Sequence, residues 1–212
     1  MAEPKKLFDA ILKGDNKGAV AVTKELISEG SQPMDLIANY MIPAMNEVGR
    51  LFESEEYYVP ELLLSARAMK GALQLLRPLL AASGAQPAGC VVIGTVKGDL
   101  HDIGKNLVSS MLEGGGFEVV DLGTDVTPEK FIQAIQEHQA NIVALSALLT
   151  VTMPMMKNTI AALKQASLRD RVKVMIGGAP VTREYANSIG ADGYSETATG
   201  AVALARQLTA AS

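Results

Sequence analysis

The sequence predicts an α/β protein in two parts: an N-terminal four-helix bundle, then a parallel sheet covered by helices. Three observations carry this. Up to about residue 82, apolar residues recur at helical spacing. The stretch Ala81–Gly89 is small and turn-rich. Beyond it, short apolar runs alternate with helical stretches.

Taken in order, Leu7, Ile11 and Leu12 mark a first helix, and Asp15-Asn16-Lys17-Gly18 reads as a turn. Val20 to Ser28 is a second helix, ended by Gly30. Pro33 to about Phe52 is a third. Pro43 inside it predicts a kink or break, because proline has no N–H to give the preceding turn. In the fourth, Leu62, Ala66, Met69, Leu73, Leu76 and Leu80 follow at spacings of three and four, with Pro60 fitting the first turn. Short connections between four helices predict a bundle over residues 1–82. Residues 83–89 are the linker, and 90–212 form the second domain.

In that second domain the expected strands are Cys90–Thr95, Phe117–Leu122, Asn141–Ala147, Val172–Ile176 and a short one near Gly193–Tyr194. One intervening helix has a clear start: Thr127 caps, Pro128 fits the first turn and Glu129 suits the helix dipole. Apolar strands alternating with helices predict a parallel sheet buried on both faces. Such sheets bind ligands beyond the C-terminal ends of their strands, so the loops after Thr95, Ala147 and Ile176 are the places to look for a site.

Composition excludes several classes. Of 212 residues, 48% are hydrophobic and 20% charged, with a net charge of −4 and no Trp. An acidic chain with few aromatics lacks the basic surface and stacking platform of a nucleic-acid binder. Cys90 is the only cysteine, so an intrachain disulfide and a cysteine-cluster metal site are both excluded. It reads as a small buried hydrophobe. The charged start Met1-Ala2-Glu3-Pro4-Lys5-Lys6 lacks a signal-peptide core, and no apolar run spans a bilayer. A cytoplasmic protein with no membrane partner is expected.

The loop after the first strand concentrates the chemistry. It reads Gly94-Thr95-Val96-Lys97-Gly98-Asp99-Leu100-His101-Asp102-Ile103-Gly104-Lys105-Asn106, and it holds one of the two histidines. A carboxylate at Asp99 can accept one imidazole N–H, fix the tautomer and free the other nitrogen for a metal. Gly98 and Gly104 leave room for close backbone approach. One His and one Asp are too few for a structural zinc site, but a metal carried in its own macrocycle needs only one axial ligand. Spacing alone leaves two roles open for His101: such a ligand, or a loop histidine capping the next helix. His138, in Gln136-Glu137-His138-Gln139, reads as a helix-end residue with no site role. The methionines, including Met153, Met155 and Met156, read as packing.

The run Asp99-Leu100-His101-Asp102-Ile103-Gly104 matches the Asp-x-His-x-x-Gly signature of cobalamin-binding domains. Val96 to Asn106 resembles the cobalamin-binding region of methionine synthase and the small corrinoid proteins of methyltransferase systems. The helical half is similar too: Met45-Asn46-Glu47-Val48-Gly49-Arg50-Leu51-Phe52, Val59-Pro60-Glu61 and Ser65-Ala66-Arg67-Ala68-Met69-Lys70 look like the family's helical cap. The resemblance implies a four-helix cap on a Rossmann-like (flavodoxin-like) domain that binds cobalamin or a related corrinoid. His101 would be the ligand to cobalt, displacing the corrinoid's own base. Asp99 would hydrogen-bond His101, and Thr152 would continue the relay where methionine synthase has a serine. Gly98, Leu100, Asp102 and Gly104 would line the cofactor from the signature loop. Ser146 and Thr150 match hydroxyl positions near the displaced nucleotide tail, Gly177-Gly178 the loop beside it, and Ala198 a further contact. In the cap, Phe52 and Val59 align with the apolar residues that cover the upper face of the corrin.

The resemblance further implies a carrier that takes a methyl group on cobalt from a substrate-specific methyltransferase. It would pass the group to a second methyltransferase with a folate or thiol acceptor, and a reductive activator would restore the oxidised cobalt. The chain is expected to be a component of that system and not a complete enzyme. Three other classes share features with it. A mutase small subunit would need a catalytic barrel. A cobalamin-dependent regulator or light sensor would need a basic DNA-recognition helix. A flavodoxin-like regulatory domain would use Asp99 and Asp102 as an acidic pocket without corrinoid.

Overall fold

A computed structural model describes residues 3–82 and 88–210, so most of the expected linker lies outside the described residues. The described chain forms two compact units, one of helices and one α/β unit beginning at Ala88. Among the described residues, no helix is long and apolar enough to cross a membrane.

The helical unit contains α1 (Pro4–Leu12), α2 (Asn16–Ser28), α3 (Pro33–Leu36), α4 (Ile42–Glu53) and α5 (Val59–Ala82). One expectation is corrected here and another takes a specific form. Asp15 to Gly18 is not a free turn. Asp15 is the N-cap of α2 and its carboxylate accepts the Gly18 N–H at 3.0 Å, so the helix begins four residues before Val20. The irregularity expected at Pro43 takes the form of a widened turn, with the chain helical on both sides of it. A π-helical turn, Ile37–Met41, joins α3 to α4, and the Ile42 N–H reaches back five residues to the Ile37 carbonyl. Widening that turn absorbs the proline, whose ring would otherwise press on the carbonyl four residues back. Leu7, Ile11, Met41, Val48, Leu62, Met69 and Leu76 are fully buried. They come from α1, the π turn, α4 and α5, which is why the sequence periodicity was readable: each helix turns one stripe inward.

The α/β unit has a five-stranded parallel sheet in the order β2-β1-β3-β4-β5. Its strands are β1 (Cys90–Thr95), β2 (Glu118–Asp121), β3 (Ile142–Ser146), β4 (Lys173–Gly177) and β5 (Gly193–Tyr194). Between and after them run α6 (Ile103–Gly114), α7 (Pro128–His138), α8 (Pro154–Gln165), α9 (Arg183–Ile189) and α10 (Ala198–Ala210). Thr127 caps α7 as expected, its hydroxyl accepting from the Lys130 N–H.

Strand residues alternate between two cores. Cys90, Val92, Val143, Leu145, Val174 and Ile176 pack with Phe131, Ile135, Met156, Ile160 and Leu163 of α7 and α8. Burial pushes the Cys90 thiol up to about 11, with the Glu118 carboxylate adding to the effect, so it stays an inert core residue. Val91, Ile93, Ala144 and Met175 point the other way, where α10 packs on β3 and β5. The register aligns Thr95, Ser146 and Gly177 as one row across the C-terminal edge. From β1 the chain turns one way to β2, while β3 pairs on its other side. This order reversal opens a crevice at the tips of β1 and β3.

Candidate functional site

At that crevice the loop from β1 to α6 meets the loop from β3 to α8. Asp99 is fully buried, whereas half of the His101 side chain is exposed. Asp99 Oδ1 accepts from His101 Nδ1 at 2.8 Å and from the His101 backbone N–H at 3.1 Å. Oδ2 accepts from the Leu148 N–H at 2.8 Å, the Leu149 N–H at 3.1 Å and the Thr152 hydroxyl at 2.7 Å. Burial works against ionisation of Asp99. The hydrogen bonds from Thr152, from the His101 ring and from the His101 and Leu148 backbone outweigh it, and hold the carboxyl well below the usual range. An ionised carboxylate only accepts, so Nδ1 carries the proton of this hydrogen bond, and in the neutral form of the ring the free lone pair is on Nε2.

The Thr152 hydroxyl also lies 2.8 Å from the Leu149 carbonyl. Its single hydrogen therefore has two acceptors in reach. Thr152 is buried, so this hydroxyl is shielded from bulk water.

Beside His101 lies a cavity of about 520 Å³. It is lined by Ile93, Ala144 and Met175 of the sheet, Leu107 and Val108 of α6, and Ala198 and Ala201 of α10. Ser146, Gly177 and Gly178 stand at its rim. Gly178 has φ +135°, and a Cβ there would lie 1.9 Å from the Ala147 carbonyl oxygen, so only glycine fits this junction of the β3 and β4 loops. Around His101, large apolar side chains face solvent: Leu100 is 74% exposed, Ile103 84% and Val151 79%, with Leu148 and Leu149 also exposed. Such a cluster is a surface waiting for an apolar cover.

The structure thus brings together Gly98, Asp99, Leu100, His101, Asp102, Gly104, Thr152, Ser146, Gly177, Gly178 and Ala198 at one edge of the sheet. Thr150 is exposed on the β3–α8 loop and does not line the cavity. Phe52, half-buried at the end of α4, and Val59, exposed at the start of α5, belong to the helical unit. Sequence reasoning missed the Leu148 and Leu149 N–H groups, which hold Asp99 through the backbone and leave no residue-type signal. It also missed Lys105, a buried ammonium on Asp121 Oδ1 at 2.7 Å and Asn106 Oδ1 at 2.6 Å. A lysine within the first turn of an apolar helix was the available sign.

These features define a class: an α/β protein that offers one oriented imidazole nitrogen, an apolar landing surface and a deep cavity beside it. A metal held in a broad, largely apolar macrocycle with a pendant group fits that arrangement, since it needs one axial nitrogen, a flat apolar seat and space for the pendant. Residues 89–203 match the B12 binding domain model, and residues 4–77 match a second B12 binding domain model. Dimethylamine corrinoid protein 1 of Methanosarcina acetivorans is 43% identical over 195 residues, covering 92% of each chain. A crystal structure of a cobalamin-binding protein from Desulfitobacterium hafniense superposes with a TM-score of 0.80 at 31% identity, covering 98% of this chain and 99% of that one. A chain of the methanol:cobalamin methyltransferase complex of Methanosarcina barkeri superposes with a TM-score of 0.85 at 29% identity, covering 98% of this chain and 79% of that one. The chain belongs to the B12-binding family of corrinoid proteins, and its cofactor is cobalamin or a related corrinoid.

Proposed function

We propose that this protein carries a methyl group on corrinoid cobalt between two methyltransferases, with His101 Nε2 as the protein's ligand to the metal. The observation that carries the reading is the exposed imidazole fixed by a buried carboxylate, 2.8 Å from Nδ1 to Oδ1, beside a 520 Å³ cavity. The names of its relatives support the methyl-transfer setting: one is a dimethylamine corrinoid protein, another lies in a methanol:cobalamin methyltransferase complex. Strand order 2-1-3-4-5 supports a Rossmann-like, flavodoxin-like cofactor domain, and the second family match supports reading the helical unit as a four-helix cap.

When bound, the corrinoid supplies a cobalt centre that takes up and gives away a methyl group. The chain's residues do the rest. Asp99 fixes the tautomer: it takes the hydrogen bond from Nδ1 and leaves Nε2 as the nitrogen that would meet the metal. Leu100, Ile103, Leu148 and Val151 exclude water from around the ligand. Ser146, Gly177, Gly178 and Ala198 line the space for the nucleotide tail, Thr150 is assigned near it on resemblance alone, and Gly98, Asp102 and Gly104 shape the loop beneath the ring. With Nε2 free of metal, it can hold a proton whose charge Asp99 offsets. The Thr152 hydroxyl can turn its hydrogen between Asp99 Oδ2 and the Leu149 carbonyl as the carboxylate's charge demand changes. Phe52 and Val59 are assigned to the upper face on resemblance.

The donor side of this reading is a substrate-specific methyltransferase, and the acceptor side a second one using a folate or thiol. A reductive activator serves the cobalt, and the setting is cytoplasmic. The test is the visible spectrum of protein mixed with methylcobalamin and washed free of unbound cofactor, beside His101→Ala. Retained cofactor whose lower-ligand signature changes in the variant supports the reading. Folded protein that retains no corrinoid sinks it.

A further inference from the structure

Half of the His101 side chain is in solvent, and its neighbours Leu100 and Asp102 are exposed, so packing does not hold this residue in place. Polar bonds to its main chain and to the loop just before it do. β1 is buried along its whole length, and it ends in Thr95, a fully buried hydroxyl. A buried hydroxyl needs a partner, and Thr95 Oγ1 donates to the His101 carbonyl oxygen at 2.8 Å. From the β2–α7 loop comes a second hold. Asp125 Oδ1 accepts the Gly98 N–H at 2.7 Å, and the Asp125 N–H donates to the Asp99 carbonyl at 3.0 Å. To do this Asp125 adopts φ +54°, a left-handed conformation that Asp tolerates better than most side chains.

We propose that Thr95 and Asp125 are positioning residues for the metal ligand: they clamp the His101 loop from beneath and from the side, so that Nε2 meets the metal without first being ordered. This rests on the reading of His101 as the cobalt ligand. Neither residue belongs to the cavity wall, so the clamp acts on the ligand's geometry and not on retention of the cofactor.

The experiment uses full-length protein carrying ¹⁵N-histidine, loaded with cobalamin and reduced to Co(II), with the EPR nitrogen splitting as readout. Histidine ligation gives a doublet, whereas the cofactor's own ¹⁴N base gives a triplet. In Thr95→Val and Asp125→Gly, the ratio of histidine-ligated to unligated cobalt should fall about fivefold, the weight of one net hydrogen bond. Corrinoid retained per chain should not change. Thr95→Ser and Asp125→Asn, which keep the hydroxyl and an accepting oxygen, should restore the wild-type ratio. Asp125 is exposed, so its variant decides the matter should Thr95→Val fail to fold. Wild-type ratios in both Thr95→Val and Asp125→Gly would overturn the clamp while leaving His101 as ligand. Absence of the doublet in wild-type protein, matching His101→Ala, would overturn both readings together.

Discussion

Asp99→Asn should remove histidine ligation while leaving the fold and the cavity in place. The variant keeps the size of the side chain and replaces one oxygen by an NH₂ group. On the Oδ2 side stand two backbone donors, Leu148 N–H and Leu149 N–H, which cannot turn away, and the Thr152 hydroxyl, which can. On the Oδ1 side stands one fixed donor, the His101 N–H, together with His101 Nδ1, which can change tautomer. An amide placed with its NH₂ toward Leu148 and Leu149 orphans one more fixed donor than the reverse, at about 1–3 kcal/mol per unsatisfied buried group. The amide oxygen therefore faces Leu148 and the NH₂ faces the ring. Nδ1 becomes an acceptor, the proton moves to Nε2, and the nitrogen proposed as the metal ligand is blocked. On this arithmetic the metal-binding tautomer falls roughly 5- to 150-fold. The assay is the ¹⁵N-histidine EPR doublet of the cobalamin-loaded variant, with a urea titration to confirm folding. A doublet of wild-type intensity would refute the claim that Asp99 sets the tautomer.

Three further outcomes follow from the same geometry. The depressed Asp99 carboxyl adds stability that is complete above the ordinary carboxylate range and is lost as pH falls below that range; urea midpoints of wild type and Asp99→Asn should therefore converge on acidification below about pH 4. Ala201→Phe, which puts a ring into the cavity, should weaken cobalamin retention about tenfold, as overpacking does, and leave unchanged the retention of a corrinoid lacking the nucleotide tail. Gly178→Ala forces a Cβ onto the Ala147 carbonyl at a strained φ and should cost roughly 3 kcal/mol in urea denaturation, with Gly104→Ala, whose Cβ would meet nothing within 4 Å, as the mild control.

How much of this was legible depends on where the signal lives. The strands of the sheet could be read because residues 90–95, 142–146 and 173–177 are nearly continuous apolar runs, as burial on both faces demands. The start of α2 was misplaced because Asp15 and Gly18 have turn composition, and the same two residues make an N-cap. The π turn before Pro43 has no composition of its own; it is the helix's answer to a missing N–H. At the site, Asp99 and His101 were visible as a spacing. Thr152 was placed through resemblance alone, since its partner lies 53 residues away. Thr95 was read as a strand end and Asp125 was passed over, because their purpose is to hold backbone atoms.

That division has a physical cause. A metal ligand must be exposed to meet its metal, so it cannot be fixed by burial in the core. Here the order is supplied from behind: a fully buried carboxylate ties the exposed imidazole to the β3–α8 loop, and a buried hydroxyl ties the imidazole's own main chain to β1. Both anchors lie at or just beyond the paired strand ends at Thr95 and Ser146. Displacement of either strand tip would move Nε2 relative to the cavity. On the proposed reading, the sheet edge is therefore the element that would make one histidine sufficient as a ligand.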